Sequence, residues 1–216
     1  NGLNFNMPKC WIFDFDGTLV NSENLIRETF LRITQIIAPE REAEAKKIII
    51  GPPLINTAKE ILGTTDVKKL NSFVDAFIYI HDKQLLNNIE PYPKTSETLL
   101  ELLKKGHKIA IATNKRLIPI LKIIKYFGWE SFFISIECSD GEDEIRNKSQ
   151  MVRAILKKDQ DFRKAYFVGD TKSDGLAAKK NSLKFIKANY GYGIDENWND
   201  IFIAHEINKF EELLVL

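Results

Sequence analysis

Asp14 and Asp16 bracket Phe15 at the end of an apolar run, and two carboxylates this close are the first feature able to do chemistry. In an extended chain, positions two apart point to one side. Carboxylates held together repel unless they share a proton or a cation. Magnesium is a hard cation that takes such oxygens. The pairing therefore offers one carboxylate to attack phosphorus and a second to manage the proton of the leaving group. Surface turns and calcium loops use the same residue types. The calcium-loop pattern, however, needs a third acidic position and a closing glutamate, which DFDGTLVNS (14–22) lacks.

Three other places add to this pair. Thr113 and Asn114 end the run IATN, where a hydroxyl, an amide and free backbone N–H groups suit a phosphate oxygen; ordinary helix capping uses the same residues. Lys115 and Arg116 follow, and for their charges a solvent-facing role suffices. Asp170 and Asp174 lie in GDTKSD after a second apolar run. A helix N-terminus favours carboxylates, so capping accounts for one of them, whereas a metal site beside Asp14 and Asp16 accounts for both. Four carboxylates around an incoming phosphoryl group require a cation from the chain, and Lys148 before SQMVRAIL is the candidate; Lys157, Lys158 and Lys172 compete. His81, His107 and His205 are isolated and read as structural or exposed. Zinc, P-loop and serine-elbow patterns do not occur.

These residues must be positioned by something. KCWIFDF (9–15) reads as a strand apolar on both faces, as in a buried parallel sheet, ending in the turn Asp16-Gly17-Thr18. Leu25, Phe30, Ile33 and Ile37 recur at helical spacing over residues 22–38. Pro39 interrupts, residues 40–50 read as helix again, and GPPL (51–54) is a rigid break. A short helix over 54–62 and a longer one from the N-cap Asp66 to about residue 86 follow. Residues 19–90 thus read as all-helical. After Pro91 and Pro93 the rhythm changes to strand and helix in turn. Strands are expected at 108–113, 131–136, 165–169, 183–188 and near 201–204, with helices at 95–105, 116–127, 147–158, 172–180 and 206–215. The expectation is an α/β fold: a doubly wound, mostly parallel Rossmann-like sheet built from residues 8–18 and 91–216, with residues 19–90 inserted as a helical cap. Ligands in such sheets bind at the carboxyl ends of the strands.

Composition narrows the partners. With 31 Lys plus Arg against 30 Asp plus Glu, the net charge of +1 gives no support for a nucleic-acid polymer. The two cysteines, Cys10 and Cys138, adjoin apolar runs and read as reduced, buried thiols, which fits a cytoplasmic setting. No apolar run has the roughly 18 residues of a membrane span, and the start NGLNFNM has no signal-like core, reading as a short lead-in.

Taken together, DFDGTLVNS (14–22), IATNK (111–115), Lys148 and GDTKSDGLAAKKN (169–181) resemble the four motifs of the haloacid-dehalogenase-type phosphatases, over nearly the whole chain from Cys10 onward. GPPL (51–54) and NYGYG (189–193) resemble the phosphoglycolate-phosphatase-like branch, whose small helical cap sits where the helical insert does. The resemblance implies Mg2+ and an aspartyl-phosphate formed on Asp14. It implies Asp16 as general acid/base, with its carbonyl on the metal, Asp170 as a metal ligand, and Asp174 as a group that supports the metal directly or through water. Thr113, Asn114 and Lys148 would hold phosphate. Gly51, Pro52, Pro53 and Leu54, stiff and close to the hinges of the insert, are expected to read the rest of a small phosphorylated metabolite, with phosphoglycolate as one candidate. A mutase of the β-phosphoglucomutase type and a catalytically silent interaction module are the alternatives; monomer and homodimer both stay open. The chain departs from the family pattern at Lys94, where a glycine usually follows the proline, at Ser149, where a proline often follows the lysine, and around Lys180 and Asn181.

Overall fold

A computed structural model of the protein describes residues 8–140 and 146–216; the lead-in NGLNFNM lies outside the described residues. The chain runs β1 (Cys10–Phe13), β2 (Val20–Asn21), α1 (Glu23–Ile37), α2 (Glu42–Ala45), α3 (Leu54–Leu62), α4 (Val67–Gln84), β3 (Glu90–Pro91) and α5 (Thr95–Lys104). It continues β4 (Lys108–Thr113), α6 (Leu117–Phe127), β5 (Ser135–Cys138), α7 (Lys148–Lys158), β6 (Tyr166–Gly169), α8 (Lys172–Lys180), β7 (Lys184–Ala188) and β8 (Ile203–Ile207).

Six strands form one sheet in the order β5-β4-β1-β6-β7-β8, and each neighbouring pair is parallel. The period-two alternation of each strand divides its side chains between two cores. Trp11, Phe13, Ile109, Ile111, Val168 and Ile186 face the side covered by α5, α6 and the 3₁₀ turn Phe210–Val215. Cys10, Ile12, Ala110, Ala112, Phe167 and Phe185 face α7 and α8. Full burial of such a side chain is worth roughly 1.5–3 kcal/mol, and β1, with all four residues buried, draws on both cores. That double burial is why CWIF is apolar without interruption.

Sheet order determines where a ligand can sit. β1 lies between β4 and β6, so the chain leaves it in opposite directions on its two sides. At this switch point the loops after the strands diverge and open a crevice at their carboxyl ends. Asp14, Asn114 and Asp170 are the first residues beyond β1, β4 and β6.

The helices α1 to α4 enclose an apolar cluster of their own, with Phe30, Ile33, Ala58, Ile61, Leu70, Phe73 and Phe77 at its centre. Asp66 caps α4 as expected, accepting the N–H groups of Lys68 and Lys69. Both ends of the helical stretch are tied together by a feature not expected from sequence: Val20–Asn21 pairs antiparallel with Glu90–Pro91. Two residues per strand are too few to leave a periodic signal.

Other differences have local causes. The helix expected over 40–50 shrinks to α2, because the chain must reach Pro52 and Pro53, which lack backbone donors. The strand expected at 131–136 is displaced to Ser135–Cys138; Phe132 and Phe133 pack from the preceding turn instead. The strand expected near 201–204 begins at Ile203 and continues to Ile207, so the final helix reduces to the 3₁₀ turn Phe210–Val215.

Candidate active site

Asp14 follows β1 directly, and its N–H donates to the Val168 carbonyl at 3.0 Å, extending the parallel ladder by one bond. Asp170 stands at the matching place after β6. Asp174 is the third residue of α8, whose Thr171 cap it completes: Thr171 donates its N–H (2.9 Å) and its hydroxyl (2.8 Å) to Asp174 Oδ2. One oxygen from each of Asp14, Asp170 and Asp174 lies within 4.8 Å of the others, and all three side chains are buried.

Lys148 enters this acidic group from the first turn of α7. Asn147 and Gln150 form a capping box that fixes the start of that helix. The Lys148 ammonium is thereby held 2.9 Å from Asp14 Oδ2 and 2.6 Å from Asp174 Oδ1. Lys157 is exposed, Lys158 pairs with Glu137 at 2.6 Å and Lys172 lies 3.7 Å from Asp200, so the competition among lysines resolves to Lys148.

The charges do not balance, since three carboxylates face one ammonium. Burial, reinforced by the Asp174 charge and only partly countered by Lys148, pushes the Asp14 carboxyl up to about 7. Burial, with the charges of Asp174 and Asp14, raises Asp170 well above its usual range. Burial alone would lower Lys148, but Asp14 and Asp174 outweigh it and hold the ammonium charged. A buried oxygen-only donor set with surplus negative charge fits a divalent cation. Asp170 is also aimed by its surroundings: Thr18 donates its hydroxyl to Oδ1 at 2.9 Å and Tyr192 its N–H to Oδ2 at 2.7 Å. Two glycines make room for it. A Cβ on Gly17, whose φ is +83°, would lie 2.2 Å from Asp170 Oδ2, and one on Gly191 would lie 2.2 Å from Asp170 Cβ. NYGYG therefore supports the acidic group from behind.

Asp16 turns elsewhere. The chain leaves the extended conformation after Phe13, and the Phe15 carbonyl collects the N–H groups of Thr18, Leu19 and Val20. The simple two-residue alternation therefore does not govern the pair. Asp16 Oδ1 accepts the Ser22 hydroxyl at 2.6 Å, and Lys115 Nζ reaches both carboxylate oxygens at 3.0 and 3.1 Å. Tyr192 Oη in turn accepts the Ser22 N–H at 2.9 Å. Lys115 is thus buried against Asp16 and does not face solvent.

Asp14, Asp16, Thr113, Asn114 and Lys148 line one cleft with about 70 Å³ of free volume. Gly51, Pro52 and Leu54 line it from the helical side with Phe30 and Phe77, whereas Pro53 stands behind as the N-cap of α3. Thr113 Oγ1 accepts the Lys115 N–H at 3.1 Å. The Asn114 amide donates to the Gly51 carbonyl at 2.8 Å, so it joins the strand end to the helical insert. Arg116 makes a second such bridge, 2.6 Å from Asp82. His81 is buried, stacks on Phe77 and lines the cleft wall, and burial lowers its basicity. His107 accepts the Lys9 N–H within the core, and His205 is exposed. Both cysteines are buried free thiols, pushed up to about 11 and about 12 by that burial. Lys115 and Arg116 read in sequence as solvent-facing charges, whereas Lys115 is buried on Asp16 and Arg116 joins Asp82; Ser22 and Tyr192, inside DFDGTLVNS and NYGYG, carry no role in the sequence reading.

A buried aspartate at the end of the central strand, an acidic pair after the strand beside it, and a helical insert between the first two sheet strands define a class. The chain belongs to the haloacid dehalogenase-like hydrolases: the model of that family matches residues 11–188. It is an enzyme of the phosphatase kind. Among its relatives is the pyrophosphatase PpaX of Halalkalibacterium halodurans, 30% identical over 188 residues, which span 85% of this chain and 83% of that protein. PpaX of Bacillus anthracis is 26% identical over 210 residues, spanning 95% of this chain and 94% of that one. Solved structures share the fold. A predicted phosphoglycolate phosphatase from Haemophilus somnus superposes with a TM-score of 0.83 at 22% identity, covering 99% of both chains. A haloacid dehalogenase-like family hydrolase from Streptococcus pneumoniae does so with 0.80 at 20% identity, covering 96% of this chain and 97% of that one. Among the described residues, no helix is long and apolar enough to cross a membrane.

Proposed function

We propose that the protein is a magnesium-dependent hydrolase of a small phosphorylated metabolite that works through an aspartyl-phosphate on Asp14. The observation that carries this reading is the placement of Asp14: its carboxylate is buried against Lys148 and the Asp170–Asp174 pair, yet lines the cleft.

In this reading Asp14 attacks phosphorus from the cleft floor. Lys148 offsets the negative charge of nucleophile and phosphoryl group together, and the Thr113 hydroxyl and nearby backbone N–H groups hold phosphoryl oxygens. Asp16 donates a proton to the leaving oxygen, then draws one from the water that cleaves the acyl phosphate and frees inorganic phosphate. Mg2+, held by Asp14, Asp170 and Asp174 together with the Asp16 carbonyl, would supply charge neutralisation for the phosphoryl oxygens. The helices of residues 19–90 act as a cap whose apolar wall shields the acyl phosphate from stray water. The Gly51–Leu54 stretch reads the leaving portion.

Pyrophosphate and 2-phosphoglycolate head the candidate substrates, because proteins of this likeness carry those names. The test is a phosphate-release screen over phosphomonoesters and pyrophosphate with Mg2+ present. Release that needs both Mg2+ and Asp14 supports the reading; full activity in metal-stripped protein, or transfer of phosphate to a sugar in place of release, overturns it.

A further inference from the structure

The Lys115–Asp16 contact carries a consequence for specificity, on the reading that Asp16 serves the leaving oxygen. Both Asp16 oxygens lie at hydrogen-bond distance from the Lys115 ammonium, 3.0 and 3.1 Å, and Oδ1 also accepts Ser22. Three of the roughly four acceptor positions of the Asp16 carboxylate are thereby taken, so a substrate must compete with the ammonium for it. The pair is well sheltered, with side-chain exposures of 6% for Lys115 and 15% for Asp16, so water does little to loosen it. A group in the cleft that draws the ammonium away opens the carboxyl group to a leaving oxygen.

The cleft limits what that can be. Its walls from the helical side are mainly apolar, Ile26, Phe30, Ile50, Leu54 and Phe77, broken by Thr57 and His81. Its cations come from the sheet side. Lys148 is engaged by Asp14 and Asp174, and Arg116 by Asp82 at 2.6 Å, a bond that also ties insert to core. Lys115 differs from both, because its partner is the group that must be released. Its backbone is fixed at the start of α6 by the Thr113 hydroxyl, while its four-carbon stem lets the ammonium swing without moving the chain. An anion placed in the cleft competes with Asp16 for this ammonium; a neutral leaving portion does not.

We propose that Lys115 is a specificity-determining residue: an anionic group on the leaving portion of the substrate, carboxylate or phosphate, takes over its ammonium and thereby frees Asp16. The same contact that binds such a substrate thus prepares the site for it. Neutral phosphomonoesters leave Lys115 on Asp16 and are poor substrates.

The experiment compares kcat and KM, with Mg2+ present, for 2-phosphoglycolate, for its neutral carboxamide counterpart and for pyrophosphate, in the wild type and in Lys115→Met, Lys115→Gln and Lys115→Arg, each checked by thermal melting. The wild type should prefer at least one charged probe over the carboxamide by about tenfold or more in kcat/KM, the scale of one charge-assisted hydrogen bond. Preference for 2-phosphoglycolate assigns the subsite to carboxylate, and preference for pyrophosphate assigns it to phosphate. In Lys115→Met and Lys115→Gln the preference should collapse towards unity, chiefly through KM of the charged probe, and Lys115→Arg should restore much of it. A preference that survives both neutral variants, with all rates falling together, would show that Lys115 merely braces Asp16 and would overturn the proposal. So would a wild type indifferent to charge. Asp14→Asn separates the two readings. If it still releases phosphate, the aspartyl-phosphate mechanism fails. If it is silent while the charge preference ignores Lys115, only the present inference fails.

Discussion

The Lys148 ammonium lies 2.9 Å from Asp14 Oδ2 and 2.6 Å from Asp174 Oδ1, bridging the candidate nucleophile to a carboxylate on the first turn of α8. Removing it exposes two functions at once. Lys148→Ala leaves buried carboxylates without their cation, a loss of up to about 3–5 kcal/mol, softened where Asp14 takes up a proton. Turnover should fall at least 100-fold, because the phosphoryl charge loses its partner too. Lys157→Ala and Lys158→Ala should stay within about twofold of wild type, since Lys157 faces solvent and the Lys158–Glu137 pair is open at the lysine end. Phosphate release and thermal melting on the three variants check the ranking; a larger effect at Lys157 or Lys158 would move the role along α7.

Magnesium should protect the fold in a pH-dependent way. The folded pKa of Asp14, about 7, lies above its usual value of 3.8, so the native state binds the proton more tightly than the unfolded chain. The contribution is fully present below about pH 4 and is lost as pH rises through about 7. Asp170 shifts in the same direction. Metal-free protein should therefore lose stability over this interval. Mg2+ binds the ionised carboxylates and should return it, with a melting-temperature gain clearly larger at pH 8 than at pH 5. Equal gains at both pH values would argue against a metal in the Asp14–Asp170–Asp174 group.

The two aspartates of DFDG should separate. Asp14→Asn removes the attacking oxygen and should abolish both turnover and the hydroxylamine-labile phosphoryl adduct. Asp16→Asn keeps the backbone carbonyl and the Ser22 contact, so Mg2+ should still raise the melting temperature while turnover drops about 100- to 10,000-fold. Peptide mapping after quenching identifies the labelled residue, and label anywhere except Asp14 would refute the assignment.

Much of this site was legible because its parts are punctuated by sheet strands. CWIF, KIAIAT and YFVG are apolar on both faces, so each announced a buried strand whose carboxyl end had to carry whatever polar residue came next: Asp14, Asn114 and Asp170. Lys148 was legible only as a residue before a helix, and its choice over Lys157 depended on resemblance. Lys115 was not legible as a partner of Asp16. Their contact spans 99 positions, and a lysine after a strand reads equally well as solvated. The same applies to Tyr192, which reaches Ser22 from 170 positions away through a turn with no periodicity.

One departure from the family pattern acquires a backbone reason. Lys94 has φ of +65°, a left-handed conformation at the N-cap of α5, in the place where the family resemblance leads one to expect glycine. A side chain there costs about 1–2 kcal/mol, and the exposed Lys94–Glu97 pair, 3.4 Å apart, returns little. Lys94→Gly relieves the Cβ strain but frees the unfolded chain, leaving a net gain of roughly 0.5–1 kcal/mol. At this chain length that is a rise of about 1–4 °C in melting temperature, with kinetic constants unchanged. A fall in melting temperature would show that the lysine side chain contributes packing that outweighs the strain.

Substrate ranking should respond to Leu54 more cleanly than to Gly51. Both residues line the cleft from the helical side, but they hold different positions in the architecture. Gly51 has φ of +123°, accepts the Asn114 amide N–H on its carbonyl at 2.8 Å, and would bring a Cβ within 3.1 Å of Thr171 Cγ2. Gly51→Ala would therefore strain the backbone, disturb the bridge between insert and sheet, and press on the cap of α8, which also orients Asp174. Its effects would mix specificity with damage to the acidic group. Leu54 is the first residue of α3, is only partly buried, and packs at the margin of the apolar cluster of the insert. Leu54→Ala removes apolar wall facing the leaving portion and leaves the positions of Asp14, Lys148 and Asp170 untouched. Loss of that wall should raise KM for substrates with the smallest leaving portions by several-fold and favour bulkier ones, while the Mg2+-induced rise in melting temperature stays the same. A panel of phosphomonoesters graded by the size of the leaving group reads this directly. An unchanged ranking with unchanged constants would remove the Gly51–Leu54 stretch as the element that reads the substrate and shift attention to His81 and Phe77 on α4.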